Sequence, residues 1–166
     1  MEQDFIDKEN EGRRNAVSRF EEMLRNQEAV FLHVEDYEEI IQQYLETENF
    51  QKALDTCRLA LEQHPYATEI MVQQAHALAD TGQPDQALDV LEKANLFHPH
   101  NVDIAFMQST LYAATGEFEA ALESLESILP WTDEQSEVYF QKGWVHQQWQ
   151  KYNKAVENYK RAIELN

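Results

Sequence analysis

The groups able to hold a metal or move a proton in this chain are six histidines, one cysteine and a surplus of carboxylates. Two of the histidines, His98 and His100, flank a proline in the stretch LFHPHNVDI. A zinc site needs three or four ligands converging at about 2 Å, and close spacings such as H-x3-H usually announce it. His33, His64, His76 and His146 are scattered along the chain, and none stands close to that pair. No metal and no other cofactor is expected from this set. Cys57 would need a paired base to act as a nucleophile, and nothing marks one, so the position reads as a small buried hydrophobe. Neighbours such as Glu38–Glu39 and Asp133–Glu134 have the composition of a general acid and base. With 31 acidic residues, such neighbours arise by chance. A Gly-rich phosphate loop, G-x-S-x-G and HExxH are all missing from the sequence. The chemistry of the side chains therefore predicts no catalysis. A hidden hydrolase or metal enzyme is the weakest reading.

His98-Pro99 has a counterpart 34 residues upstream in His64-Pro65, and that spacing recurs through the chain. Ala53, Ala87, Ala121 and Ala155 are 34 apart, as are Phe50, Pro84, Phe118 and Tyr152, and Gly82 with Gly116. Within the first copy Phe50, Ala53, Leu54, Cys57, Ala60 and Leu61 recur at three- and four-residue steps, the mark of one buried helical stripe. Tyr37, Ile40, Ile41, Tyr44 and Leu45 make another before it. Glycine between the stripes lets the chain turn at positive φ, and Pro84 suits the first turn of a helix. Each copy is thus predicted to be a helix, a short turn and a second helix. LFHPHNVDI becomes a joint between copies, where Pro99 stops one helix and Asn101 helps start the next.

A 34-residue helix–turn–helix of this pattern resembles the tetratricopeptide repeat family, whose signature is W-x2-L-G-x2-Y, then A-x3-F, then P. Tyr37, Ile40, Ile41 and Tyr44, followed by Ala53, Cys57 and Pro65, carry it in the first copy. Second helices match well and first helices less so, with Gln74, Gln108 and Lys142 polar where the family prefers leucine. The resemblance implies an all-α, right-handed α-solenoid. Residues 1–33 would be an N-terminal capping helix and connector, helical from about 8 to 26. Repeats would follow at 34–67, 68–101, 102–135 and 136–166, the fourth incomplete, all in one domain. Asp36 with Glu39 is expected to cap the first repeat. At the third junction, ILPWTDEQSEVYF, Thr132 with Gln135 reads as a capping box. It predicts one helix shortened by a turn and its successor lengthened by as much. The last repeat lacks a polar covering helix over Tyr159, Ala162 and Ile163, so the chain resembles the N-terminal part of a longer bacterial scaffold. A homo-oligomer built through that uncapped end is the alternative.

Such arrays bind along a concave surface lined by first helices. The resemblance places Glu38 and Gln42, Val72 and His76, Phe106 and Thr110, and Phe140 and Trp144 on that surface, with Met107 beside them. The partner-binding set is therefore Val72, His76, Phe106, Met107, Thr110, Phe140 and Trp144, apolar and aromatic toward the later repeats. Family members that grip a chaperone's C-terminal carboxylate use Lys, Asn and Arg. Glu38, Gln42, Gln73, Asp103 and Met107 stand in those places, so that clamp is missing. The expected partner is a protein or peptide with apolar anchors and basic flanks. A net charge of −18 argues against nucleic acid or an anionic membrane. The acidic start MEQDFIDKEN has no apolar run, no segment approaches a membrane span, and the cytoplasm is the expected location. The charge is uneven: residues 102–135 carry −7, and residues 136–166 carry +2.

Overall fold

The computed structural model describes residues 16–28 and 30–166. Those residues are helical over 16–25 (α1), and then in Val34–Glu46 (α2), Phe50–Gln63 (α3), Thr68–Asp80 (α4), Pro84–Phe97 (α5), Val102–Thr115 (α6), Phe118–Ile128 (α7), Gln135–Gln148 (α8) and Tyr152–Leu165 (α9). No strand occurs among them. The fold class is all-α helical repeat, as the 34-residue period requires. The chain divides into two compact units, Met1–Gln83 and Pro84–Asn166, with the division falling inside the second repeat. Part of the expected first helix, residues 8 to 15, lies outside the described residues.

In unit 1, α2 packs on α3 and both pack on α4. Tyr37, Ile40, Ile41, Cys57 and Ile70 form its centre, each at most 2 % exposed. Fully burying an isoleucine side chain contributes about 1.5–3 kcal/mol, so a few such residues set the order of the unit's stability. Phe20 of α1 meets Tyr37 edge-on at 6.2 Å between ring centroids. Glu21 of α1 accepts hydrogen bonds from Tyr44 at 2.9 Å and from Lys52 at 2.7 Å. The helix over 16–25 thus contacts α2 and α3 through Phe20 and Glu21. In unit 2, α8 packs against α6 and α7, and α9 packs against α8. Leu125, Ile128, Val138 and Val145 are among its fully buried residues.

The turn inside each repeat is the same in all four copies. Glu48, Gly82, Gly116 and Gln150, 34 apart, all have φ between 56° and 86°. The residue after each donates its N–H back to Tyr44, Leu78, Tyr112 or His146, at 2.7–2.8 Å. That bond satisfies a carbonyl which the helix end would leave open. Only two of the four positions are glycine, so Glu48 and Gln150 adopt the left-handed conformation against their intrinsic preference.

Two expected helix starts differ. The α2 helix begins at Val34 and not at Asp36: His33 is the N-cap, and Asp36 accepts its backbone N–H at 3.3 Å from inside the first turn. At the third junction α7 is indeed short, 11 residues against 14 for the other second helices. Its successor is not lengthened, because α8 starts at Gln135. Thr132 accepts from Glu134 N at 3.0 Å, and the Gln135 amide donates to Leu129 O at 3.4 Å. Both side chains are spent on the connecting turn, and the capping box does not form. Asn101 does cap its helix, accepting from Ile104 N at 3.0 Å.

Candidate functional site

Four of the histidines are engaged by neighbouring groups. His64 Nε2 lies 2.8 Å from Leu32 O, and its ring packs against Phe31 and Tyr37. His98 Nδ1 lies 3.5 Å from the Asn101 amide, and His100 stacks on Trp131 at 4.7 Å. Buried His146 lies parallel to Trp149 at 6.3 Å. Burial depresses its pKa, reinforced by Lys154, Lys142 and Lys151 and opposed by Glu126, so its ring is held neutral. Among the described residues, no three His, Cys, Asp or Glu are arranged to hold a metal ion. Burial pushes the Cys57 thiol up to about 12, which leaves it protonated at neutral pH and inert as a nucleophile.

The candidate binding residues fall on two separate faces, one in each unit. In unit 1, Val72 is half-buried and His76 exposed on α4, beside Glu38 and Gln42 of α2. The Gln73 amide donates to Glu38 O at 3.1 Å, tying the two first helices together. Burial raises the Glu38 pKa, and the neighbouring charges of Glu69 and Glu35 raise it further. Three carboxylates thus crowd this face, so it presents negative potential.

In unit 2, α6 carries Phe106, Met107 and Thr110, and α8 carries Phe140 and Trp144. The Gln141 amide donates to Thr110 Oγ1 at 3.2 Å and lies 3.5 Å from Ser109 Oγ. It fastens α6 to α8 much as Gln73 fastens α4 to α2. Sequence reasoning missed Gln141, although its place 68 residues after Gln73 was available as a signal. Phe106 and Trp144 are half-buried, both packed against the core cluster of this unit, so each offers only part of its ring to a partner. Phe140 is 59 % exposed and tilts against Tyr159 at 5.4 Å. It lies with Tyr159, Ala162 and Ile163 on a cleft of about 520 Å³ between α8 and α9. The expected set therefore divides, with Phe106, Met107, Thr110 and Trp144 toward the α6–α8 face and Phe140 toward the α8–α9 cleft.

Comparison with known proteins agrees with the all-α helical repeat. Residues 78–139 match a family model described as tetratricopeptide repeat, and residues 136–166 match a second of the same description. No curated protein matches the chain. Among solved structures, a thermophilic tetratricopeptide protein from Thermus thermophilus is 20 % identical with a TM-score of 0.72, covering 90 % of this chain and 80 % of that one. MamA of AMB-1 is 19 % identical with a TM-score of 0.67, covering 92 % and 96 %. MamA 41-end from Desulfovibrio magneticus RS-1 is 20 % identical with a TM-score of 0.65, covering 78 % and 73 %. At these identities the likeness is one of fold.

Proposed function

The chain belongs to the tetratricopeptide repeat family of protein-interaction scaffolds, and from that premise we propose that it binds a protein segment along its first-helix faces without chemistry of its own. The observation that carries this reading is the α6–α8 face of unit 2. There Gln141 locks the two helices together, and Phe106, Met107 and Trp144 lie partly open beside an exposed Thr110. A preformed apolar face loses little ordering entropy when a partner side chain enters, and partly exposed aromatics are the usual anchors. The unit 1 face of Val72 and His76, with Glu35, Glu38 and Glu69 near it, suits basic residues of such a segment. The cytoplasm is proposed as the place where it acts. No helix among the described residues is long and apolar enough to cross a membrane.

The reading is tested by isolating partners with the intact chain and titrating one against Phe106→Ala and Trp144→Ala. Each variant is expected to weaken binding roughly tenfold or more, the loss typical of an anchor residue. Unchanged affinity in both variants, with far-ultraviolet dichroism showing intact helices, would sink the assignment.

A further inference from the structure

We propose that the cleft between α8 and α9 is the seat for an amphipathic helix of a partner protein, and that Lys160 selects one carrying a carboxylate at a defined position. The seat is recognised by its register. Phe140, Tyr159, Ala162 and Ile163 line the cleft. Shifted by one 34-residue period they become Phe106, Leu125, Ile128 and Leu129, residues of α6, of α7 and of the position just after it that share a core with α8. In that neighbouring position the occupying helix buries Val138 and Val145, seven residues apart, with no exposure remaining. The open cleft therefore has the shape and apolar lining of a place where a helix of about four turns lies, with apolar side chains at i and i+7.

The charge at the rim differs between the two positions. Between the apolar contacts of α8, Lys142 reaches Glu126 of α7 at 3.0 Å, and the Lys142 side chain is only 12 % exposed. The residue equivalent to Glu126 on α9 is Lys160, which is exposed. Because the pairing groove holds a partly desolvated charge, a like charge there is penalised more than on an open surface. A helix built like α8 would set its lysine against Lys160, whereas a helix with Asp or Glu at i+4 would form the pair in reverse. Arg161 is already engaged with Glu164 at 3.1 Å, so Lys160 is the cation that discriminates. The segment 136–166 carries +2 while the preceding repeat carries −7, which favours an acidic helix at this end alone. Glu137 also borders the cleft, but it sits in the first turn of α8, as its counterpart Asp103 sits in the first turn of α6. Among the described residues, α8 is packed on α6 and α7, and Phe20 of α1 is 2 % exposed, so neither of these helices is free to enter the cleft. Exposed Lys160 and the +2 of residues 136–166 fit this cleft to a partner's helix that carries a carboxylate in the matching place.

The experiment uses two fluorescent helix-stapled peptides and the full chain. One has the α8 sequence QSEVYFQKGWVHQQ, and the other has glutamate as its eighth residue. The glutamate peptide is expected to bind about fivefold more tightly, the size of replacing repulsion by one partly screened ion pair. Lys160→Glu should invert the order, and Ile163→Asp should abolish binding of both. Equal affinities, or no binding of either peptide, overturn the proposal. Sedimentation provides the remaining check: self-association abolished by Ile163→Asp would give the seat to a second copy and overturn the assignment to a partner.

Discussion

On α6 and α7, Phe106, Leu125 and Ile128 lie in the core that α8 completes, while 34 residues later Phe140 is 59 % and Ile163 77 % exposed. The same residue type, phenylalanine, stands at both 106 and 140. What differs is coverage: one face has a helix over it among the described residues, and the other does not. A stacked repeat cannot bury its own apolar stripe, so each face depends on its neighbour for the shielding. An exposed aromatic in such an array thus reports the absence of a neighbour before it reports a binding groove.

The largest effect expected from breaking this contrast comes from placing a carboxylate under each cover. Val145→Asp puts an unpaired charge where no solvent reaches. The penalty should be on the order of 4 kcal/mol, enough to lose unit 2. Ile163→Asp on the open face should change stability by no more than about 0.5 kcal/mol. Urea denaturation of the two variants measures both. A comparable loss in Ile163→Asp would mean that the α8–α9 face is covered in solution.

A smaller effect sharpens what holds α8 to α9. A Cβ at Gly143 would lie 2.6 Å from two atoms of the Tyr159 ring, closer than carbon atoms approach, and a tight 3.1 Å from a third. Gly143→Ala gains up to about 1 kcal/mol of helix propensity and loses about 1–3 kcal/mol to overpacking. We expect a net loss near 1 kcal/mol. Tyr159→Leu, which restores the residue found at Leu91 and Leu125, should turn the same glycine replacement into a gain. Thermal denaturation of the single and double variants reads the change of sign.

The repeat and its helices were legible because one spacing governs the alanines, the aromatics ahead of them and the turns. The left-handed turn was legible only where glycine marks it. At Glu48 and Gln150 the backbone hydrogen bonds to Tyr44 and His146 impose it, and a side chain gives no sign of that. The capping box at Thr132 and Gln135 failed because both side chains satisfy the preceding turn, a competition that short-range pattern cannot rank. Site residues were the least legible. Gln74, Gln108 and Lys142 are polar where a leucine would fix the helix rotation, so the open and packed sides of α4, α6 and α8 could not be told apart. The half-burial of Trp144 and the turning of Phe140 toward Tyr159 follow from that rotation. The reversal from Glu126 to Lys160, by contrast, is visible in the sequence once the period is laid out in columns.

The smallest effect concerns His146, on the helix that covers one face and walls the other. Its ring is buried and its Nδ1 has no hydrogen-bond partner. Desolvation comes first among the causes that depress its pKa, and Lys154, Lys142 and Lys151 add to it against the single opposing charge of Glu126. In the unfolded chain the same histidine titrates near its ordinary value of 6.5. Between that value and the lower folded one, the unfolded state binds the extra proton, so stability rises with pH in that window. Acidification from pH 7 should therefore weaken unit 2 progressively as the pH falls below 6.5, and the loss should level off once the folded ring protonates. His146→Leu, the residue at Leu78 in the same register, should remove this slope while leaving that of the carboxylates. The difference between wild type and variant, followed by thermal denaturation, isolates the histidine. A constant difference between pH 7 and pH 5 would show that α8 lets water reach this ring, and the covered face would then be less closed than its packing implies.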